Sequence, residues 1–242
     1  MSPQDAIAAQ ALLAGLTELS SRAPHDLLGP LHRSASLLAL FVKRYRGRLD
    51  PEADHLLEFL ASASTSMEGV AAGVRKYMEI AARAPSYGPV DLNVSLASSL
   101  AQMEKAISAT GAVIVPDSLP TVSADAAHMV TLFESLIGNS IKFRRPDVAP
   151  RVQVSSQGAG DIRTVAISDN GIGIDPQYRQ AVFLPFKRLN GAEYPGPGLG
   201  LAAAKLIAEM HGGSIRIDSL TDCEPSASGT RVEFTVRTIE YK

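Results

Sequence analysis

The sequence predicts an α-helical hairpin followed by an α+β domain. Two observations predict it: the hydrophobic period changes near residue 85, and a proline- and glycine-rich break falls at the same place. Up to about residue 83 the apolar residues recur every three or four positions, as on one face of a helix. Beyond "ARAPSYGPVDL" short alternating runs are interleaved with helical ones. This assigns residues 1–84 to a helical unit and 85–242 to a mixed one.

The clearest helical run carries Leu56, Leu60, Ala63, Met67, Val70, Val74, Tyr77 and Ala81. That is a heptad seam, which requires a partner helix. An earlier run supplies one through Leu12, Leu16, Leu19, Ala23, Leu27, Leu31, Ala35, Leu38, Val42 and Tyr45. Between them Gly47 marks a stop, and Asp50-Pro51 reads as an N-cap followed by a first-turn proline. The expected product is an antiparallel hairpin. A lone hairpin buries little, so pairing of two copies as a four-helix bundle in a homodimer is expected to complete it. The first seam steps by fours through residues 23, 27 and 31 with Pro30 inside the stutter, so the helix should bend there. His25 lies about 200° from Ala23 and Leu27 on a 3.6-residue helix and is expected to face outward.

In the second half, alternation at 111–115, 151–155, 162–168, 214–218 and 230–236 predicts strands, and helices are expected over 92–109, 126–143 and 199–211. Links such as "SQGAGD" suggest a mixed, largely antiparallel sheet with helices on one face.

Bulk properties narrow the function. Net charge is −2, which gives no electrostatic case for nucleic acid or an anionic membrane. Cys223 is the single cysteine, so no intramolecular disulfide can form. No stretch approaches the roughly 18 apolar residues of a membrane span, and the N-terminus does not read as a signal peptide, so a soluble, cytoplasmic protein is expected.

The chemistry-bearing stretches lie mostly in the second half. In "EYPGPGLGLAAAKLIAEMHGG", Gly196, Gly198 and Gly200, with Leu199 among them, surround the start of a helix. Glycines let backbone amides approach a ligand, and a helix N-terminus attracts phosphate, although the same pattern also serves as a plain helix start. "ISDNGIGIDP" places Asp169 at a strand end, followed by Gly171 and Gly173. Such a carboxylate can accept from an exocyclic amine, or it can close an Asx turn. "LFESLIGNSIKF" carries Asn139 and Lys142 on one helix face. An amide oxygen suits Mg²⁺ and an ammonium suits a phosphate; a polar helix face is the alternative for either alone. His32, His55, His128 and His211 show no metal-ligand spacing and are expected to be structural or exposed.

Taken in order, "NSIKF", "DNGIG", "FLPFKRL" and "GPGLGL" resemble the N box, first glycine box, F box and second glycine box of sensor histidine kinases. "HDLLGPL" (25–31) is similar to the phospho-acceptor box of their dimerisation and histidine-phosphotransfer domain, and "KRYRGRLDPEADHLLEFL" to the hairpin turn of kinases related to phytochromes. The resemblance covers nearly the whole chain from about residue 20. It implies a helical hairpin followed by a GHKL, or Bergerat-type, α/β-sandwich ATP-binding domain. It implies that His25 takes the γ-phosphoryl group of Mg-ATP, that Asp26 orients the imidazole and takes its proton, and that the group passes to an aspartate of a response regulator. It further implies that Asp169 reads adenine, Asn139 holds Mg²⁺, Lys142 lies near the phosphates, and Gly171, Gly173, Gly196, Gly198, Leu199 and Gly200 shape the pocket. Phe183 and Phe186 would anchor the segment leading into a lid at about 187–197, on which Arg188 reads as a solvated charge, with reach to a phosphate as the alternative.

Four positions depart from the family pattern. Ser135 stands for the first N-box asparagine, Pro197 for a Thr or Ser of the second glycine box, Leu28 for a basic or amide residue, and Gly29 for the Thr or Asn of strong phosphatases. Dephosphorylation of the partner is therefore expected to be feeble, and Gly29→Thr to raise it in a phospho-regulator turnover assay. About 20 residues before the acceptor box cannot hold a sensor domain, so a separate input protein, or a longer parent chain, is expected. Two rivals stand beside the kinase reading. One is a degenerate nucleotide-binding scaffold or phosphorelay protein, favoured by Ser135 and Pro197. The other is an ATPase of the same superfamily, disfavoured because its hydrolytic glutamate would fall at Ser135.

Overall fold

The computed structural model describes residues 29–30, 33–48, 50–158, 160–189, 194, 196–219 and 229–238. His25, Asp26, Leu28, His32 and Cys223 lie outside the described residues, as do 190–193 and 195 of the glycine-proline segment. The chain divides into two compact units, with the main change between Arg83 and Ala84.

In the first unit, helical residues 33–45 form α1, and Gly29 and Pro30 also lie on helical backbone. The chain turns through Gly47, at φ 73. α2 (Pro51–Ala82) then starts where the Asp50 carboxylate accepts from the Ala53 N–H at 2.9 Å. The turn is fastened twice: the Gly47 N–H donates to the Asp54 carboxylate at 2.9 and 3.1 Å, and Arg46 pairs with Glu58 at 2.6 Å. Ala35, Leu57, Ala71 and Ile80 are buried. The seam expected on α2 is not the buried stripe: Leu56, Leu60, Met67 and Val70 are 59, 50, 46 and 39% exposed. Successive residues lie about 100° apart, so a helix apolar at both Leu56 and Leu57 presents two stripes, and among the described residues only the stripe of Leu57 is buried. Among the described residues no helix is long and apolar enough to cross a membrane.

The second unit runs β1 (Gly88–Asp91), α3 (Leu92–Gln102), α4 (Glu104–Thr110), β2 (Val113–Pro116), β3 (Thr121–Ala124), α5 (Ala126–Lys142), β4 (Arg151–Gln157), β5 (Ile162–Asp169), two short 3₁₀ turns, α6 (Gly200–Met210), β6 (Ile215–Ser219) and β7 (Thr230–Arg237). A mixed five-stranded sheet has the order β2-β4-β5-β7-β6; β2 and β4 are parallel and the other neighbours antiparallel. β1 and β3 form a separate antiparallel pair that the sequence reading missed. The helix expected over 92–109 is two, broken at Met103 (φ −98, ψ 7), with no glycine or proline to announce the break.

α5 supplies the centre of the core. Met129, Leu132, Phe133, Leu136 and Ile137 are buried, and the Phe133 ring meets Phe234 edge-on at 6.1 Å. Val152, Val154, Val165, Ile167, Val232 and Val236 complete the apolar side of the sheet. Alternation along the strands sends Ser168, Arg231, Glu233, Arg216 and Asp218 to the opposite side. There Glu233 accepts from Arg231 at 2.8 Å and from Arg216 at 2.6 Å. Burial pushes the Glu233 carboxyl up, but these hydrogen bonds and charges outweigh it and hold it below its ordinary value.

Asp125 joins three parts of the unit. Its Oδ1 caps α5, accepting from Ala127 and His128 N–H at 2.9 and 3.1 Å, and its Oδ2 accepts from the Ser86 N–H at 2.9 Å. Its own N–H donates to His211 Nε2 at 3.0 Å, so the His211 proton sits on Nδ1, against the Ile207 carbonyl at 2.8 Å. Tyr87 donates to the Met210 carbonyl at 2.6 Å beside it. His128 is also buried, its ring 5.5 Å from that of His211. Phe234→Ala should cost about 3–5 kcal/mol through the cavity beside Phe133, read as a lowered urea midpoint of the second unit.

Candidate functional site

The site is built on the C-terminal half of α5. Asp169 closes β5 and is 9% exposed. Its Oδ1 accepts from the Gly171 N–H at 2.9 Å and the Thr230 N–H at 3.1 Å, and its Oδ2 accepts from the Ser140 hydroxyl at 2.9 Å. Burial pushes its carboxyl up, against the pull of those three hydrogen bonds. A carboxylate has about four acceptor positions, so the described residues leave one, on Oδ2.

Gly171 is fixed by close approach. A Cβ there would lie 2.6 Å from the Phe143 carbonyl oxygen, which already accepts from the Ile172 N–H at 3.0 Å. The neighbouring Asn170 secures the loop: its Oδ1 accepts from the Arg151 N–H at 2.8 Å and its Nδ2 donates to the Ala149 carbonyl at 3.1 Å. Gly173 takes φ 80 against the Gly229 carbonyl.

Asn139 faces the first turn of α6. A Cβ on Gly200 would lie 3.6 Å from its Nδ2 and 3.7 Å from its Oδ1, and 3.9 Å from the carbonyl of Ser135. α6 starts at a buried Leu199 with no side-chain cap among the described residues, which leaves its first N–H groups open to an anion. The Phe186 N–H donates to the Gly198 carbonyl at 3.0 Å. Gly196 takes φ 140.

The Lys142 ammonium lies over the Phe143 ring, 4.7 Å from its centre, and that ring lies 5.0 Å from Tyr194. Burial, and then the Arg188 charge, hold the Lys142 amine below its ordinary value. Arg188 is exposed, as the solvated reading expects, and its guanidinium also donates to the Tyr194 carbonyl at 3.1 Å. One expectation is corrected. Phe183 is buried, but Phe186 is 58% exposed and holds its segment through backbone, at φ 64, not through its ring.

Asn139, Lys142, Asp169, Gly171 and Gly200 thus gather along one end of α5. Ser140, Asn170 and Thr230 were given no individual role by the sequence, although Ser140 stands inside "NSIKF" and Thr230 inside "GTRVEFTV". The donor set suits a purine nucleotide: an acceptor recessed between glycines, an ammonium, an amide oxygen and an uncapped helix start. Among the described residues no group of three or more His, Cys, Asp or Glu could hold a metal ion, so a metal here would draw its remaining ligands from a bound phosphate or water.

Comparison with known proteins agrees with this geometry. Residues 124–240 match the family of histidine kinase-, DNA gyrase B-, and HSP90-like ATPases. The chain is 35% identical to cyanobacterial phytochrome A of Nostoc sp. over 85% of its length, and 32% identical to the phytochrome-like protein Cph1 of Synechocystis sp. over 85%. It spans only 27% and 28% of those two relatives. Full-length ShkA in complex with AMPPNP has the same fold, with a TM-score of 0.67 and 21% identity over 93% of this chain and 47% of that one. The mycobacterial sensor histidine kinase MprB matches 63% of this chain and 97% of its own, at 28% identity and a TM-score of 0.54. Residues 124–240 therefore match an ATPase domain of that family, and over most of its length the chain is similar to a protein named as a sensor histidine kinase.

Asp169→Asn should fold at least as stably as the native chain at neutral pH. An asparagine Oδ1 can keep the Gly171 and Thr230 bonds while its Nδ2 donates to Ser140. Because the native carboxyl is raised by burial, its ionised form costs folding energy above the raised pKa; that cost vanishes as pH falls through it. Urea midpoints of the two proteins should therefore converge on acidification.

Proposed function

We propose that the chain is the catalytic core of a two-component histidine kinase, which transfers the γ-phosphoryl group of Mg-ATP to His25 and from there to an aspartate of a response regulator receiver domain. The observation that carries it is the acceptor position that the described residues leave on Asp169, recessed beside Gly171 and bound through Ser140 to the stretch of α5 that carries Asn139 and Lys142. In this reading Asp169 accepts from the adenine amine, the Lys142 ammonium and the open N–H groups of α6 take phosphate oxygens, and Asn139 holds Mg²⁺. Bound Mg²⁺ would neutralise charge across the phosphates.

A ring nitrogen of His25 attacks the γ-phosphorus; the bond from that phosphorus to the bridging oxygen breaks, an N–P bond forms and ADP leaves. Imidazole is substantially neutral near pH 7 and so has a free lone pair, and Asp26 takes the proton released from the ring. Residues 1–84 would be the dimerisation and phosphotransfer domain, 85–242 the ATP-binding domain, and the setting cytoplasmic, with input from another protein or domain.

The exposed apolar stripe of α2 supports a homodimer. Leu56, Leu60, Met67 and Val70 have the heptad spacing of a bundle and are exposed among the described residues. Leu60→Glu with Met67→Glu should convert a dimer to a monomer in analytical ultracentrifugation while leaving ATP affinity within about twofold.

The deciding experiment is incubation with γ-labelled ATP and Mg²⁺, native against His25→Gln. Label that is acid-labile, base-stable and confined to the native chain supports the kinase. ATP binding without label in either protein would favour the scaffold reading, for which Ser135 and Pro197 already speak.

A further inference from the structure

We propose that Ser140 is a positioning residue for the nucleobase: its hydroxyl holds Oδ2 of Asp169 so that the remaining acceptor position meets an exocyclic amine, which makes the site select adenine over purines bearing hydrogen or oxygen at that carbon. The proposal rests on the reading of this site as an adenine-nucleotide pocket.

The two oxygens of Asp169 are held differently. Oδ1 lies between two backbone N–H groups, those of Gly171 and Thr230, at 2.9 and 3.1 Å. No side-chain substitution removes those donors, and a proton on Oδ1 would face both. Any proton taken up by this carboxyl therefore goes to Oδ2. Ser140 donates to that same atom at 2.9 Å, from a side chain that is itself buried on α5. Among the described residues the only other acceptor for its hydroxyl is the Leu136 carbonyl at 3.3 Å, one helical turn back.

The polarity of the remaining position follows from Oδ2. Ionised, it is an acceptor and matches an amine. Protonated, it offers an O–H, which matches a purine carbonyl instead. A hydroxyl donating into Oδ2 favours the ionised form. Among the described residues no charged group does this work: Ser140 faces the carboxylate from α5, Thr230 from β7 and Gly171 from its own loop, while Val152 is its register partner on β4. Burial opposes ionisation, so the balance depends on few donors, and Ser140 is the one carried by a side chain.

The test is calorimetric binding to the full chain, with Mg²⁺, of ATP, GTP and purine riboside triphosphate, which lacks the amine, from neutral to acidic pH. Native protein is compared with Ser140→Ala and Ser140→Cys. Alanine leaves a gap and cysteine fills it, but neither is a strong donor. Both variants should lose about tenfold in ATP affinity and no more than about twofold for the analogue, which has no amine to read. Their acid limb for ATP binding should move to higher pH, and discrimination against GTP should narrow.

Equal weakening for ATP and the analogue would overturn the proposal, as would a cysteine variant with the native ratio, since packing alone would then explain Ser140. Native protein that binds ATP while both variants keep its selectivity overturns the role of Ser140 alone. Native protein that binds none of the three nucleotides overturns the pocket reading together with it.

Discussion

The second unit depends on the carboxylate and amide of Asp125. One residue, 2% exposed, caps α5, takes the N–H of Ser86 at the start of the unit and gives its own N–H to the last residue capping α6. α5 then acts as a rigid strut. At about 1.5 Å per residue, Asn139 stands roughly 21 Å along the helix from this anchor. One side of the strut is locked by Leu132, Phe133, Leu136 and Ile137, so the groups at its far end have little freedom in rotation or height. The site is positioned by packing that lies well away from it.

Two buried carboxylates in the same domain show how environment divides structural from chemical roles. Glu233, on the polar side of the sheet, is gripped by two arginines, and its charge is held below the ordinary range. Its acceptor positions serve the sheet. Asp169, three strand residues beyond the level of Ala166 and on the helix side, meets only neutral donors, and burial wins. A carboxylate stabilised by neutral dipoles and left with an acceptor position to spare is poised to gain from a ligand; one enclosed by arginines is not.

How far this could be read from the residues follows from the range of each interaction. β4, β5, β6, β7, α5 and α6 carry their own periods, and their positions agree with the alternation and helical spacing. β1 and β3 are four residues each, no shorter than β2, but they lack its apolar run Val113, Ile114 and Val115, and Pro89 argues against a strand. The break at Met103 has no local marker. On α2 the heptad was visible, but adjacent apolar residues at 56 and 57 hid which stripe the chain itself covers. In the site, Asp169, Asn139 and Lys142 were found because motif order pointed to them. Ser140 and Thr230 reach Asp169 across 29 and 61 residues of sequence, contacts that only the folded sheet brings about. His25 and Asp26 were read from the sequence alone.

The hydrogen bond from Phe186 to Gly198 has a consequence for the stretch between them. A non-glycine residue at φ 64 costs about 1–2 kcal/mol, and the fold accepts that to bring the two ends of the stretch together. The entropy of closing this loop is thereby met by the protein itself and not drawn from the affinity of whatever binds beside it. Closure entropy grows only as the logarithm of length, about 0.6 kcal/mol for each doubling. Chain can therefore be added or removed between residues 188 and 197 at small thermodynamic cost while Asn139, Asp169 and the start of α6 keep their places. The family resemblance runs through fixed boxes on both sides of this stretch, and here the physics leaves room for its length to drift.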